Sequence, residues 1–180
     1  MGKRYVSFSL AGARYGIPVD QVMQILRLEN LIEVPKPPPY VEGVINLKGD
    51  IVPVVSLRTR LEIGAGGRAP SPDPRKRRVV VVRLGSRQYG LDVDEVNEIV
   101  DIDESGISRD ATTVMGMRAE LILGIARRAD ALYLVLDLPR VLGGTREVPG
   151  APQGQNASQG ANAPQEKDAP QGQSAPQGRD

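Results

Sequence analysis

From residue 5 onward, Val6, Phe8 and Leu10 alternate with Tyr5, Ser7 and Ser9, the period of a strand with one face in a core. Gly12 supplies a turn, and Arg14-Tyr15-Gly16-Ile17 opens a second strand. The spacing then changes: Asp20 precedes Val22, Ile25 and Leu26, which predicts a two-turn helix capped by Asp20 with those three residues facing inward. Residues 28–34 read as extended, and Pro35, Pro37, Pro38 and Pro39 force a polyproline-like connection. It leads to residues 41–61, VEGVINLKGDIVPVVSLRTRL, in which Val44, Ile45 and Leu47 run into a Lys48-Gly49-Asp50 turn. The nearly continuous apolar run 51–57 comes next, the pattern of a strand buried on both faces.

Residues 64–74 (GAGGRAPSPDP) have a linker's composition, and the basic cluster 75–78 ends them before a further strand at 79–84. The second half of the chain then repeats the first. An offset of 74 lays Tyr15-Gly16-Ile17 and Val22-Met23-Gln24-Ile25 on Tyr89-Gly90-Leu91 and Val96-Asn97-Glu98-Ile99. An offset of 81 lays Gly43-Val44 on Gly124-Ile125 and residues 51–57 on 132–138. A longer loop within 101–120, with Ser105-Gly106 and Met115-Gly116 as turn candidates, accounts for the change of offset. A duplicated unit of short strands points to two small β-barrels or curled sheets packed together, with the groove between them as the candidate ligand site. From Pro149 the chain has no Val, Ile, Leu, Met or aromatic residue and repeats Ala-Pro-Gln, so the tail is expected to be disordered.

Charge and composition narrow the chemistry. Lys plus Arg number 23 and Asp plus Glu 22, so no whole-chain field favours nucleic acid or an anionic membrane. The absence of Cys and His removes disulfides, thiol nucleophiles, imidazole metal ligands and the usual general base. The pairs Asp92/Asp94 and Asp101/Asp103 read as solvated acidic surface, and Gly64-Ala65-Gly66-Gly67 lacks the lysine and hydroxyl of a phosphate loop. No cofactor, metal or catalytic residue is expected, and the start of the chain carries no apolar leader, which reads as a soluble cytoplasmic protein. The competing reading is a nucleic-acid-binding barrel using the basic run Arg75-Lys76-Arg77-Arg78, although no aromatic residue interleaves with it.

The order YGI-x-V-x-x-V-x-x-I, a proline-rich approach, then VEGVINLKG-x-IVPVV-x-LR resembles the CheW-type chemotaxis coupling family over residues 4–142. The resemblance implies a mainly β fold of two five-stranded SH3-like β-barrels, the first mainly 14–63 and the second mainly 88–137, with strands possible to exchange near 64–78 and a disordered tail at 143–180. It implies a non-enzymatic adaptor, recruited to receptor arrays, whose partners are chemoreceptor cytoplasmic tips and the regulatory domain of a CheA-type histidine kinase. Carried onto this sequence, the receptor-binding candidates are Val22, Gln24, Asn46, Lys48 and Arg58, and the kinase-binding candidates Gly49 and Ile51. Three positions depart from the family pattern: Gln24 stands for its glutamate, Lys48 for the arginine of its NLRG turn, and Ser56 for the aspartate of its DLR signature. Lysine keeps the charge but loses the planar fork, and with serine at 56 Arg58 is expected to lose an ion-pair partner.

Overall fold

The computed structural model describes residues 2–64, 72–109 and 118–143. The strands come in chain order as β1 (Gly2–Leu10), β2 (Ala13–Pro18), β3 (Val22–Arg27), β4 (Val41–Leu47), β5 (Asp50–Ser56), β6 (Arg78–Leu84), β7 (Arg87–Val93), β8 (Glu95–Asp103), β9 (Ile122–Arg128) and β10 (Ala131–Leu136). One-turn helices α1 (Leu57–Arg60) and α2 (Leu138–Val141) succeed β5 and β10. The strands form two five-stranded sheets, ordered β8-β1-β2-β10-β9 and β3-β6-β7-β5-β4. Each sheet therefore draws strands from both halves of the sequence repeat: the boundaries 14–63 and 88–137 follow the repeat, while the sheets follow the pairing. The expected disordered tail and the turn at Met115-Gly116 lie outside the described residues.

The apolar runs without polar interruption explain this arrangement. Successive side chains on a strand point to opposite faces. On β6, Val79 and Val81 belong to a core inside the second sheet, with Ile45, Val52 and Val54, while Val80 and Val82 face a larger core between the sheets. On β10 the same division holds: Tyr133 and Val135 pack inside the first sheet with Tyr5, Val100 and Ile102, and Leu134 and Leu136 turn to the central core. The groove expected between the two copies is thus filled along its middle by Phe8, Tyr15, Leu57, Leu91 and their neighbours, all buried.

The helix expected after Asp20 is not formed. A single 3-10 turn, Val19–Gln21, leads at once into β3, which pairs with β6 from Val22↔Val82 to Arg27↔Arg78 around one bulge. Two turns are too few for a helix to sustain itself, whereas a neighbouring strand satisfies the backbone along the whole segment. Ile25, expected inside, is 42% exposed as a result. Residues 28–34 make only an isolated bridge, Ile32↔Val44.

The turns and glycines show what the repeat preserves. Lys48 and Gly49 both have positive φ, 53° and 99°, the geometry of a two-residue primed hairpin turn, and the Asn46 side-chain oxygen accepts from the Gly49 N–H at 2.8 Å. Gly43 instead permits a close crossing of chains, since a Cβ there would lie 2.4 Å from the Ile32 carbonyl oxygen of the isolated bridge. Its repeat counterpart Gly124 meets Ile107 and the Ser108 carbonyl in the same way, under the bridge Ser108↔Ile125. Gly43→Ala and Gly124→Ala should each destabilise by at least ~2 kcal/mol in denaturant unfolding, since both bridges must shift. Gly106→Ala, where a Cβ meets nothing within 4 Å, should change stability by less than ~0.5 kcal/mol.

Candidate functional site

The seven candidate residues fall at three places. Val22 and Gln24 lie on β3, an edge strand hydrogen-bonded only to β6 within its sheet. Val22 packs against the central core from its rim, while Met23, Gln24 and Ile25 are exposed. Asn46, Lys48 and Gly49 form the exposed tip of the β4–β5 hairpin, and Ile51, half-buried, pairs with Asn46 just behind it. β3 and β4 are the two edge strands of one sheet, which curls so that Leu26 of β3 and Leu47 of β4 pack against the same small core. Arg58 stands beyond the far end of β5, a seven-residue strand that separates it from the tip by roughly 20 Å.

Arg58 is placed by a helix start. The Ser56 hydroxyl caps α1, accepting from the Thr59 N–H at 3.4 Å and from the Thr59 hydroxyl at 3.2 Å. The counterpart Asp137 caps α2 through the Arg140 N–H at 3.2 Å. Serine at 56 therefore keeps the capping role of an aspartate. Nor is Arg58 left without an ion pair, as expected from the sequence: it grips Asp94 with two parallel hydrogen bonds, Nε to Oδ1 at 2.7 Å and Nη2 to Oδ2. Asp94 is the single residue between β7 and β8, where the chain crosses from the second sheet to the first. Its Oδ2 also accepts from the Ala11 N–H at 2.7 Å, in the β1–β2 turn. The hydrogen bonding to Asp94 raises the Arg58 pKa further above its ordinary value, and burial, with Asp94 nearby, pushes Tyr15 up to about 12.

A second charge cluster holds the basic run. Asp92, only 7% exposed, accepts from Arg77 Nε at 3.2 Å, and the same guanidinium reaches Glu42 on β4 at 3.2 Å. Asp92 and Asp94 are therefore interior partners of arginines and not the solvated surface expected. Burial outweighs Arg77 and lifts the Asp92 carboxyl to about 6. The rest of the run is also engaged: Lys76 pairs with Glu95 at 3.3 Å, Arg75 with Asp73 at 3.5 Å, and Arg78 donates to the Arg75 and Arg77 carbonyls at 2.8 Å each. This leaves little of the positive field that a nucleic-acid reading requires.

Sequence reasoning missed one more arginine. Arg60 on α1 donates to the carbonyls of Val141, Arg140 and Gly143 at 2.8, 3.0 and 3.1 Å, and its guanidinium lies 4.4 Å from the Tyr40 ring centroid. It caps α2 and so ties the two repeat-related helices together. The only signal in the sequence was the alignment of 57 with 138, which sets the two helices in equivalent places. Among the described residues no group of three acidic or other metal-binding side chains is arranged to hold an ion, and no helix is long and apolar enough to cross a membrane.

Comparison with known proteins adds what geometry does not. The family model for the CheW-like domain matches residues 4–146. The chain belongs to the CheW-like family. The chemotaxis protein CheW of Bacillus subtilis is 30% identical over 142 residues, covering 78% of this chain and 87% of the relative. That of Treponema pallidum is 25% identical over 136 residues, covering 76% and 79%. The crystal structure of the scaffolding protein TtCheW from Thermoanaerobacter tengcongensis superposes with a TM-score of 0.70 at 30% identity, covering 79% of this chain and 88% of that one. The CheW-like chain is thus a chemotaxis adaptor that couples receptors to CheA, from a family of scaffolds.

The charge clusters generate two expected outcomes. Arg58→Ala leaves the part-buried Asp94 without its cation and should lower unfolding free energy by about 2 kcal/mol; a double-mutant cycle with Asp94→Ala should return a coupling of about 1–2 kcal/mol. Asp92 binds its proton more tightly folded than unfolded, so its contribution to stability is full below about pH 4 and declines as pH rises to about 6, then levels off. Stability measured across that window should fall less steeply in Asp92→Asn than in the unaltered protein.

Proposed function

We propose that this CheW-like adaptor meets its receptor along β3 and the β4–β5 tip, and its kinase near Gly49 and Ile51. The observation that carries the reading is the state of β3: an edge strand with an unpaired backbone side that exposes Met23 at 39% and Ile25 at 42%. Exposed edges are templates for association unless covered, and a scaffold needs such a surface. Val22 and Gln24 lie on that strand. Lys48 stands at a rigid turn held by Asn46, which supports a contact role for Lys48 and a positioning role for Asn46. Arg58, engaged by Asp94, acts in this scheme by fixing the crossover beside the central core and presents little of itself to a partner.

The receptor partner is the cytoplasmic tip of a methyl-accepting chemoreceptor, the kinase partner the regulatory domain of a CheA-type histidine kinase, and the site of action the cytoplasmic receptor array. A glutamine at 24 removes the negative charge usual in the family at that position, so the cognate receptor should have a complementary, less basic contact. In pull-down at micromolar concentration the chain should retain both a kinase regulatory domain and receptor tips; retention of neither would remove the reading. Gln24→Lys should weaken receptor capture at least tenfold and leave kinase capture within twofold, with Ile51→Glu showing the reverse order. Equal losses for both partners in each variant would assign these positions to folding instead.

A further inference from the structure

We propose that Arg77 is a latch released by protons: when the buried carboxylate of Asp92 takes up a proton, the segment 73–77 lets go of the second sheet. One guanidinium here serves two carboxylates from different strands. Its Nε donates to Asp92 Oδ1 on β7 at 3.2 Å, and its Nη2 donates both to Asp92 Oδ2 and, at 3.2 Å, to Glu42 Oε2 on β4. Along the segment the side chains differ in depth. Those of Arg75 and Lys76 are 92% and 57% exposed, whereas that of Arg77 is 27% exposed and reaches inward. Arg77 is thus the side chain that seats residues 73–77 on the sheet.

The groups around Asp92 decide which way a proton pushes. β7 lies between β6 and β5, and Asp92 pairs with Val79 on one and Ser56 on the other, neither of which carries a charge. The Ser56 hydroxyl is committed to Thr59. The charged groups are Glu42 and Arg77, and, just past the end of β7, Asp94 in the grip of Arg58. Burial raises the Asp92 carboxyl, the hydrogen bond and charge of Arg77 oppose the rise, and Glu42 and Asp94 add to it; the balance falls at about 6. Arg77 stays charged throughout, since the Asp92 hydrogen bond raises its own pKa further. With Arg77 withdrawn, the influence that held the carboxyl down is lost while β7 keeps Asp92 in place, so the released form binds the proton more tightly. By linkage, proton uptake favours release. Glu42, with 30% of its side chain exposed against 8% for Asp92, keeps access to water in either state.

The first sheet supplies an internal comparison. An offset of 74 takes Arg77 and Asp92 to Lys3 and Pro18, and an offset of 81 takes Glu42 to Leu123, so the buried carboxylate and its neighbour have no counterparts there. Lys3 pairs instead with Asp20 at 3.5 Å and Glu104 at 3.9 Å, both exposed. The latch therefore acts on the sheet that holds β3 alone. Arg78, next in the chain to Arg77, closes the β3–β6 ladder opposite Arg27. Any effect of the latch on receptor capture rests on the assignment of β3 as the receptor edge, whereas the latch itself is tested with no partner present.

The test is nuclear magnetic resonance on the full chain, titrated from about pH 7.5 to about pH 5 without receptor or kinase. The Asp92 carboxyl carbon should titrate at about 6. With the same midpoint, the amide order parameters of Lys76 and Arg77 should fall from about 0.85 to below about 0.6, while Val54 and Val81 in the small core of that sheet keep theirs. Arg77→Gln should give the low values at both ends of the titration, and Asp92→Asn should hold them low throughout. Glu42→Gln removes a neighbouring negative charge but leaves Arg77 on Asp92, and should move the midpoint about 0.5 pH lower. Constant order parameters at Lys76 and Arg77, a fall shared by Val54 and Val81, or an unmoved midpoint in Glu42→Gln would overturn the proposal. Glu42→Gln keeps the Arg77–Asp92 contact, so it decides the matter even if Asp92→Asn fails to fold.

Discussion

Two sheets that each curl around a small core and also press on each other need strands with no polar face. That requirement governs the molecule. It is why residues 79–82 are four consecutive valines and why Tyr133, Leu134, Val135 and Leu136 are all buried. It also leaves an ion pair to hold the step where the chain passes from one sheet to the other. A crossover cannot be held by side-chain burial alone when both its flanking strands are already committed, and the Arg58–Asp94 pair anchors the one-residue step between β7 and β8 from outside the core. Asp94 fixes the β1–β2 turn with its second oxygen at the same time.

The rigidity this gives bears on the adaptor's work. A scaffold transmits position, and it does so only if the surfaces it offers keep their spacing. Here α1 and α2 are joined through Arg60, β4 and β7 through Arg77, and the sheets through Asp94. The exposed edge of β3 and the β4–β5 tip belong to the sheet that these contacts brace.

Much of this was legible in the sequence because it was written in apolar period and in repetition. The alternation at 5–10, the continuous run at 51–57 and the two offsets gave a duplicated β architecture, and the family pattern supplied its class. The features that were not legible depended on partners distant in the chain. The segment 22–27 carries a helix-compatible spacing, and only the presence of β6 beside it decides for a strand. Asp92 and Asp94 look like any acidic pair until Arg77 and Arg58 arrive from 15 and 36 residues away. The basic run looked like a surface for anions because its carboxylate partners lie on other strands. Among the candidate residues, period and motif marked the turn at Asn46–Gly49, since its geometry is local; they put Arg58 after the strand 51–57 but could not show that Asp94 holds it.

The mixed parentage of the sheets has a consequence for how such a molecule could arise. A single copy of the repeat would own β1 to β5 and could complete neither sheet, since β1 and β2 belong to one and β3, β4 and β5 to the other. Two separate copies would have to trade strands to become whole, as the two halves of this chain do. Because β5 and β6 lie in one chain, that exchange is a step within a single molecule, and the halves are free to differ: Gln88 bonds Asp50 in one, while their counterparts Arg14 and Ala131 have no such bond to make.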